Sequence, residues 1–124
     1  NFFDVIYSHH VIEHIANPID FIVDIKFHLK PQGLLIIATP DFDSGCARLF
    51  KENYRLLDPG HISLFSNESL HRLLRDNYFN ILKTEYPFFE TEYFNKENLN
   101  RMFNPNLISP PFYGNYMTFF SQLN

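Results

Sequence analysis

The stretch FFDVIYSHHVIEHIANPIDFIVDIKFHLKPQGLLIIAT (Phe2–Thr39) contains the pattern that decides the fold. Its first part, Phe2–Ser8, is a short run of apolar, β-branched and aromatic residues, which is typical of a buried strand. A second apolar run, Leu34–Thr39, lies between Gly33 and Pro40 and has no polar alternation. Such a run predicts a strand that is covered on both faces.

The segment between the two runs predicts a helix. Asn17 is a favourable N-cap, and Pro18 suits the first helical position. The apolar stripe at helical spacing consists of Phe21, Ile22, Ile25 and Leu29. We expect Lys30 in the last turn and a stop at Pro31-Gln32-Gly33. Strand, helix and strand with short connections indicate a parallel, right-handed crossover unit of an α/β sheet.

The rest of the chain predicts a smaller set of elements after an irregular segment, Pro40–Gly60, that contains one helical turn near Ala47–Lys51. Ser66 is expected to cap a helix that ends near Asn77. The apolar face of that helix is Leu70, Leu73 and Leu74. The later elements are a strand at Tyr78–Tyr86, a short helix at Lys96–Phe103 and a strand at Tyr116–Leu123.

The composition limits the classes of function. The 124 residues allow one modest domain, and the net charge of −4 with interspersed signs argues against a nucleic-acid partner. Fifteen Phe and seven Tyr indicate large buried faces. No apolar run approaches the roughly 18–20 residues that span a bilayer, and the single cysteine, Cys46, fits a reducing compartment. We therefore expect no membrane span and a cytoplasmic location.

The segment His10-Val11-Ile12-Glu13-His14 matches the inverted zinc-protease pattern H-x-x-E-H. On a helical turn its two histidines and Glu13 share one face, so a zinc hydrolase is one hypothesis. The flanks argue against it, because Asn17-Pro18 restarts the structure three residues after His14 and no third-ligand motif follows. A polar turn whose histidines face solvent is the simpler alternative.

A longer succession of motifs resembles the C-terminal half of class I S-adenosylmethionine-dependent methyltransferases, in particular the ubiquinone-biosynthesis-like branch that acts on small molecules. In that family a fourth strand ends in a V-L-E-H type segment, a D-P helix follows, and L-K-P-G-G introduces the fifth strand. Here Gln32 replaces the first glycine of that turn. The segments Pro59–Leu70 (PGHISLFSNESL) and Gly114–Phe120 (GNYMTFF) resemble the family's later motif and its closing strand.

The resemblance implies a partial Rossmann-like α/β fold, with strands in the order 4-5-7-6 of the family sheet and the last strand antiparallel. Residues 1–124 would form the C-terminal part of one methyltransferase domain. The family's glycine-rich cofactor turn has no counterpart here, because the chain's four glycines are isolated. We therefore expect the first three strands to be absent from this chain and to belong to a longer protein.

The resemblance also implies a site after the first strand. Ser8, His9 and His10 would line the methyl-donor pocket, and His10, Glu13 and His14 would bind a divalent metal. Imidazole in place of a carboxylate moves the preference from magnesium towards softer ions. Glu13 could instead cap backbone amides or pair with a cation, and His14 could be a packing residue.

Two histidines are the candidate catalytic residues, His14 and His61, because a neutral imidazole suits removal of a proton from a hydroxyl. His61 could equally fasten the loop before it. The candidate substrate-pocket residues are Tyr54, Phe65, Tyr113 and Tyr116, although core packing is the favoured role for such side chains.

The sequence thus predicts transfer of a methyl group from S-adenosylmethionine to a small-molecule acceptor, at oxygen. The cofactor supplies the activated methyl group, so no catalytic triad is needed. The alternatives are a catalytically silent α/β fragment or binding module, and then the zinc hydrolase.

Overall fold

The computed structural model describes residues 1–86, 92–93, 95–111 and 116–124. The strands are β1 (Phe3–His9), β2 (Leu29–Pro40), β3 (Phe79–Glu85) and β4 (Tyr116–Leu123). The α-helices are α1 (Pro18–His28), α2 (Gly45–Phe50), α3 (Asn67–Asp76) and α4 (Lys96–Arg101). Short 3-10 turns lie at Ile12–His14 and Lys51–Asn53.

The four strands form one mixed sheet in the order β1-β2-β4-β3. β1 and β2 are parallel neighbours, with Val5 opposite Leu34 and Ser8 opposite Ile37. β4 is antiparallel to both β2 and β3. The predicted α/β class, the strand order 4-5-7-6 and the antiparallel last strand are therefore confirmed.

The main core lies between one face of the sheet and the helices α1 and α3. Side chains alternate along β4, so that Met117 and Phe119 are fully buried while their neighbours are only half-buried. The helices contribute Ile22, Ile25, Leu70 and Leu74. These are residues of the two predicted apolar stripes, and burying them fixes both helices on the same face of the sheet.

Helix α1 begins as predicted, since Asn17 Oδ1 accepts a hydrogen bond of 3.3 Å from the Asp20 amide. Its C-terminus differs from the prediction. The helix ends at His28, and Lys30 lies in β2, where its ammonium group is 3.0 Å from the Asp4 carboxylate on β1. The physical reason is Pro31, which disfavours a helical conformation in the residue before it.

Strand β1 is less covered than the buried strand that its composition predicts. Phe3, Val5 and Tyr7 expose 52%, 49% and 63% of their surface. β1 has only one neighbour, β2, in the described sheet. In β2, Leu35 is buried and every residue from Ile37 to Pro40 is buried. β2, and not β1, is therefore the interior strand.

None of the helices that the structure describes is long and apolar enough to cross a membrane, and α1, with 11 residues, is the longest of them.

Candidate functional site

The residues predicted to line the methyl-donor pocket, Ser8, His9 and His10, lie at the carboxyl end of β1, beside the end of the parallel strand β2. Ser8 and His9 end β1, and the His10 amide donates to the Ala38 carbonyl of β2 over 2.9 Å. His10 has a positive φ of 55°, a backbone conformation that residues other than glycine rarely adopt. The chain thus turns sharply out of the sheet at His10 and enters the turn that carries Glu13 and His14.

That turn is a three-residue 3-10 helix, Ile12–His14, in agreement with the short helical turn that Asn17-Pro18 predicted. It buries Ile12 in the main core and Glu13 completely. Glu13 Oε2 accepts a hydrogen bond of 3.0 Å from Thr39 Oγ1 at the end of β2. The zinc-protease arrangement on a long helix is therefore not the arrangement found here.

Two buried polar atoms at this edge have no hydrogen-bond partner: Ser8 Oγ and Glu13 Oε1. They are the only side-chain atoms of this kind in the part of the chain that the structure describes. Buried polar groups are nearly always paired, and an unpaired one in a native protein calls for an explanation such as a bound ion or ligand. Both exceptions fall between residues 8 and 13.

The segment Gly60–Ser63 is fastened to the turn by four hydrogen bonds. The amides of Ile62 and Ser63 both donate to the Glu13 carbonyl, over 2.8 and 3.0 Å. Ser63 Oγ donates to the Ile15 carbonyl, and His14 Nδ1 donates to the Gly60 carbonyl over 2.7 Å. These contacts hold the segment Gly60–Ser63 against the turn and place His61 beside His14.

His14 and His61 lie side by side, with ring centroids 4.7 Å apart. His61 Nδ1 lies 2.7 Å from the Leu56 carbonyl, just as His14 Nδ1 faces the Gly60 carbonyl. A carbonyl oxygen only accepts, so each Nδ1 carries a proton, and Nε2 is the atom of each ring that can carry a lone pair. The two candidate catalytic residues are therefore neighbours with the same hydrogen-bonding pattern.

Glu13, His14 and His61 each offer a metal-ligating atom, and these atoms lie within 4.8 Å of one another. His10 is not a member of this group within the described residues. The structure therefore brings together two of the three predicted metal ligands, Glu13 and His14, with His61 as the third residue of the cluster.

His10 belongs to a row of aromatic rings instead. Its ring centroid lies 4.0 Å from that of His9 and 4.4 Å from that of Tyr116, and Tyr7 stacks on His9. Burial lowers the pKa of His10, and the adjacent His9 lowers it further. His10 is thus predominantly neutral at neutral pH and contributes a flat, uncharged surface.

A cavity of about 250 Å³ lies beside this row. The residues that line it are His9, His10, Ala38, Tyr93, Tyr116 and Thr118. Tyr116 is the predicted substrate-pocket residue that the structure places there, and burial raises its pKa. The cavity adjoins the carboxyl ends of β1 and β2, where the predicted methyl-donor pocket lies.

The other predicted pocket residues are distributed differently. Phe65 packs in the main core, and Tyr54 packs in a second cluster with Cys46 and Phe50. The Tyr54 hydroxyl donates to the Asp41 carbonyl over 3.2 Å, and burial raises the pKa of this hydroxyl. Tyr113 lies outside the described residues. A substrate role for these three residues stays a prediction.

Sequence reasoning missed two residues of the site, Thr39 and Tyr93. Thr39 closes the apolar run of β2, and its position at the carboxyl end of a parallel strand next to β1 was a usable signal. Tyr93 reaches the cavity from a segment distant in sequence, and no local pattern indicates that approach.

Comparisons with known proteins agree with this architecture. The sequence profile described as "Methyltransferase domain" matches residues 1–84. No curated protein matches the chain. Among solved structures, one match is an S-adenosylmethionine-dependent methyltransferase from Thermotoga maritima, described as a possible histamine N-methyltransferase. It aligns with a TM-score of 0.67 at 19% identity, and the alignment covers 98% of this chain and 56% of that protein's chain.

Two further structures align over nearly the whole chain. An S-adenosylmethionine-dependent methyltransferase from Archaeoglobus fulgidus has a TM-score of 0.63 at 16% identity and covers 98% of this chain and 59% of its own. The [4+2]-cyclase SpnF has a TM-score of 0.65 at 16% identity, with coverages of 99% and 50%. This chain thus spans 50–59% of the length of these three structures.

The family profile extends over more than half of the chain, from β1 through nearly all of β3, and therefore includes the site residues from Ser8 to His61. The structural matches share the fold of the four-stranded sheet. The chain belongs to the methyltransferase domain family.

Proposed function

We propose that the protein containing this chain transfers a methyl group from S-adenosylmethionine to an oxygen atom of a small-molecule acceptor. In this proposal the chain supplies the C-terminal portion of the catalytic domain. The exposed apolar edge of β1 and the greater length of the matched structures support that placement. The ubiquinone-biosynthesis-like branch is the part of the family that the sequence motifs favour.

The observation that carries the proposal is the pair of unpartnered buried atoms, Ser8 Oγ and Glu13 Oε1, at the carboxyl edge of the parallel strands. Ligands of open α/β sheets bind at this edge. Leaving a buried polar atom unpaired costs about 1–3 kcal/mol, so a fold that keeps two of them in one place favours a ligand there.

The cofactor would supply an activated methyl group on a sulfonium centre. The chain's own residues would then have three tasks: to orient the donor, to hold the acceptor and to receive a proton. Ser8, His9 and His10 border the donor side. His14 and His61 carry basic Nε2 atoms and are the proton acceptors that we propose for an acceptor hydroxyl.

The acceptor side of the site is assigned to the cavity beside Tyr116. Alignment of acceptor oxygen, methyl group and sulfur is the main contribution that a protein makes to such a transfer. The rings of His10 and Tyr116 form one wall of the cavity, and a tilted pair of rings at 4.4 Å is a rigid surface against which an acceptor can be positioned.

A calorimetric titration with S-adenosylhomocysteine tests the proposal. We expect micromolar binding by the full-length protein and none by residues 1–124 alone, because the glycine-rich half of the cofactor site is not in this chain. Absence of binding by the full-length protein would favour the alternative of a catalytically silent α/β module.

A pair of serine variants locates the binding. Ser8→Ala removes a hydroxyl that has no partner in the free protein, so it should leave stability unchanged and weaken S-adenosylhomocysteine binding about 3- to 10-fold. Ser121→Ala is the matched control, because Ser121 is also buried but its Oγ donates to the Leu35 carbonyl over 3.1 Å. It should lower stability by about 1 kcal/mol and leave the affinity unchanged. The opposite pattern would remove Ser8 from the cofactor site.

A further inference from the structure

The cluster of Glu13, His14 and His61 has the features of a metal centre. We infer that these three side chains bind one divalent transition-metal ion of the zinc class, with His61 as a ligand and His10 excluded. The inference rests on the proposed function only for the use of the ion in methyl transfer, and it modifies that function. A ligating Nε2 of His14 or His61 cannot accept a proton, so with the ion bound the ion, and not the imidazoles, would activate the acceptor hydroxyl. The ligand set differs from the one that the sequence resemblance implied.

The first argument is the state of the two imidazoles. A metal-bound histidine almost always donates its other ring N–H to a carboxylate, a backbone carbonyl or water, which fixes the ring and its tautomer. His14 and His61 both do so, to Gly60 and Leu56, at 2.7 Å each. Both rings are therefore held in the orientation typical of metal-bound histidines, and Nε2 of each ring is the atom left to bind an ion.

The second argument is the carboxylate between them. Glu13 is fully buried, its Oε2 accepts from Thr39, and its Oε1 has no partner. None of the ion pairs in the described part of the chain involves Glu13. A buried carboxylate without a cation is costly, and coordination of a metal is one of the few arrangements that compensates for it.

The third argument is that backbone hydrogen bonds fix the three side chains close to one another. The amides of Ile62 and Ser63 converge on the carbonyl of Glu13 itself, so the loop that carries His61 is attached to the residue that supplies the carboxylate. His14 is attached to the same loop through Gly60. All three donors are therefore fixed relative to one another before any ligand binds, which lowers the entropic cost of binding an ion.

The donor types select the class of ion. Two imidazoles and one carboxylate form the three-ligand set of several catalytic zinc sites, which keep a further position open for water or substrate. Magnesium prefers oxygen ligands in octahedral geometry and rarely uses imidazole. A bound ion would supply Lewis-acid activation of an acceptor hydroxyl.

The exclusion of His10 follows from its position. Its ring lies between the rings of His9 and Tyr116 and lines the cavity. It does not reach the group of mutually close ligand atoms. His10 therefore serves as the discriminating variant between the ligand set inferred from the structure and the set implied by the sequence.

The test is a titration of the metal-free full-length protein with Zn²⁺, Mg²⁺ and Co²⁺, followed by calorimetry and, for Co²⁺, by its visible absorption. We expect one Zn²⁺ per chain and Mg²⁺ binding that is at least about 100-fold weaker. His61→Asn keeps an N–H donor for the Leu56 carbonyl but removes Nε2, and Glu13→Gln removes the charge. Each should weaken Zn²⁺ binding by more than about 100-fold, beyond the effect typical of outer-shell contacts.

The controls are His10→Asn and His71→Asn, which should both bind Zn²⁺ like the wild type. Wild-type affinity in His61→Asn, or an equal loss in His10→Asn, would overturn the inference. Circular dichroism of the metal-free variants identifies any that do not fold, and His14→Asn then takes the place of such a variant. Binding of S-adenosylhomocysteine, measured on the same samples, tests the proposed function separately. If the wild type binds Zn²⁺ but not S-adenosylhomocysteine, the proposed function is wrong and the metal site is still supported.

Discussion

At the scale of single residues, the contact between Thr39 and Glu13 attaches the turn that follows β1 to the end of β2. Thr39 is fully buried at the end of β2, and its hydroxyl is the only described side-chain partner of the Glu13 carboxylate. Sequence reasoning placed Glu13 in a polar turn near a strand end. It could not predict the partner, because a hydrogen bond between residues 26 positions apart depends on the parallel pairing of β1 and β2.

Thr39→Val should destabilise the protein by about 1–3 kcal/mol, because it leaves both oxygens of a buried carboxylate unpaired while keeping the shape of the side chain. Urea unfolding monitored by circular dichroism measures the change. Thr84→Val on β3 is the matched control, since the half-buried Thr84 side chain forms no hydrogen bond with the described residues and should give a difference near zero. Equal stability of the two variants would mean that the Thr39 contact contributes nothing.

The single thiol provides a second prediction at this scale. Cys46 is fully buried, and burial raises its pKa from 9.0 to about 11. At about pH 8 the native protein should not react with a thiol reagent such as Ellman's reagent, whereas the unfolded chain should react at one site. Rapid labelling of the native protein at the rate of the unfolded chain would contradict the burial.

The same shift has a consequence for stability. Below about pH 9 the thiol is protonated in both states; above it the unfolded chain loses the proton first and the native protein only near pH 11. Cys46 therefore lowers the free energy of unfolding as the pH rises through this window. Subtracting the profile of Cys46→Ala isolates its contribution, and a flat difference between the two profiles would contradict the shift.

At the scale of elements, the first residues of β2, Leu29–Gly33, show how local sequence and tertiary contacts together determine the backbone. Gln32 has a positive φ of 63°, a conformation that glycine adopts more readily than glutamine, and it stands where the sequence resemblance implied a glycine. The β1–β2 register shifts at the same point, between Phe3 and Val5. Gly33 follows, and a Cβ on it would lie 2.7 Å from Leu29 Cγ and 2.8 Å from the Lys30 carbonyl.

Gly33→Ala should therefore destabilise the protein by about 1–3 kcal/mol, because a backbone carbonyl cannot move away cheaply. Gly45→Ala is the matched control: it lies in the first turn of α2, has open space around the added Cβ, and should be neutral or stabilising by up to about 1 kcal/mol. Chemical unfolding of both variants measures the difference. A loss of the same size at both positions would show that the turn is not crowded.

The elements were predictable to the extent that their signals are local. The caps at Asn17 and Ser66 and the apolar faces of α1 and α3 follow from spacing and side-chain chemistry, and the structure confirms them. The end of α1 was predicted too late, because the sequence shows a continuous helical stripe up to Leu29. Leu29 does join the core, but it does so as the first residue of β2.

At the scale of the whole molecule, two sources predicted the sheet. The strand-helix-strand pattern predicted the parallel β1–β2 unit, and the family resemblance predicted the order of all four strands, which the structure confirms. The assembly of the site was only partly predictable. Ser8, His9 and His10 follow one strand, so their common location was evident. The approach of His61 depends on a loop that crosses back over the turn, and no spacing rule anticipates such a contact.

The central claim is that the edge from Ser8 to His14 borders the methyl donor. Hydrogen exchange of the full-length protein, measured with and without saturating S-adenosylhomocysteine, tests it most directly. The account predicts slower exchange in peptides that cover Tyr7–His14 and no change in Asn67–Asp76 of α3, which lies away from the carboxyl edge of the parallel strands. Binding of the ligand with unchanged exchange across Tyr7–His14 would contradict the account.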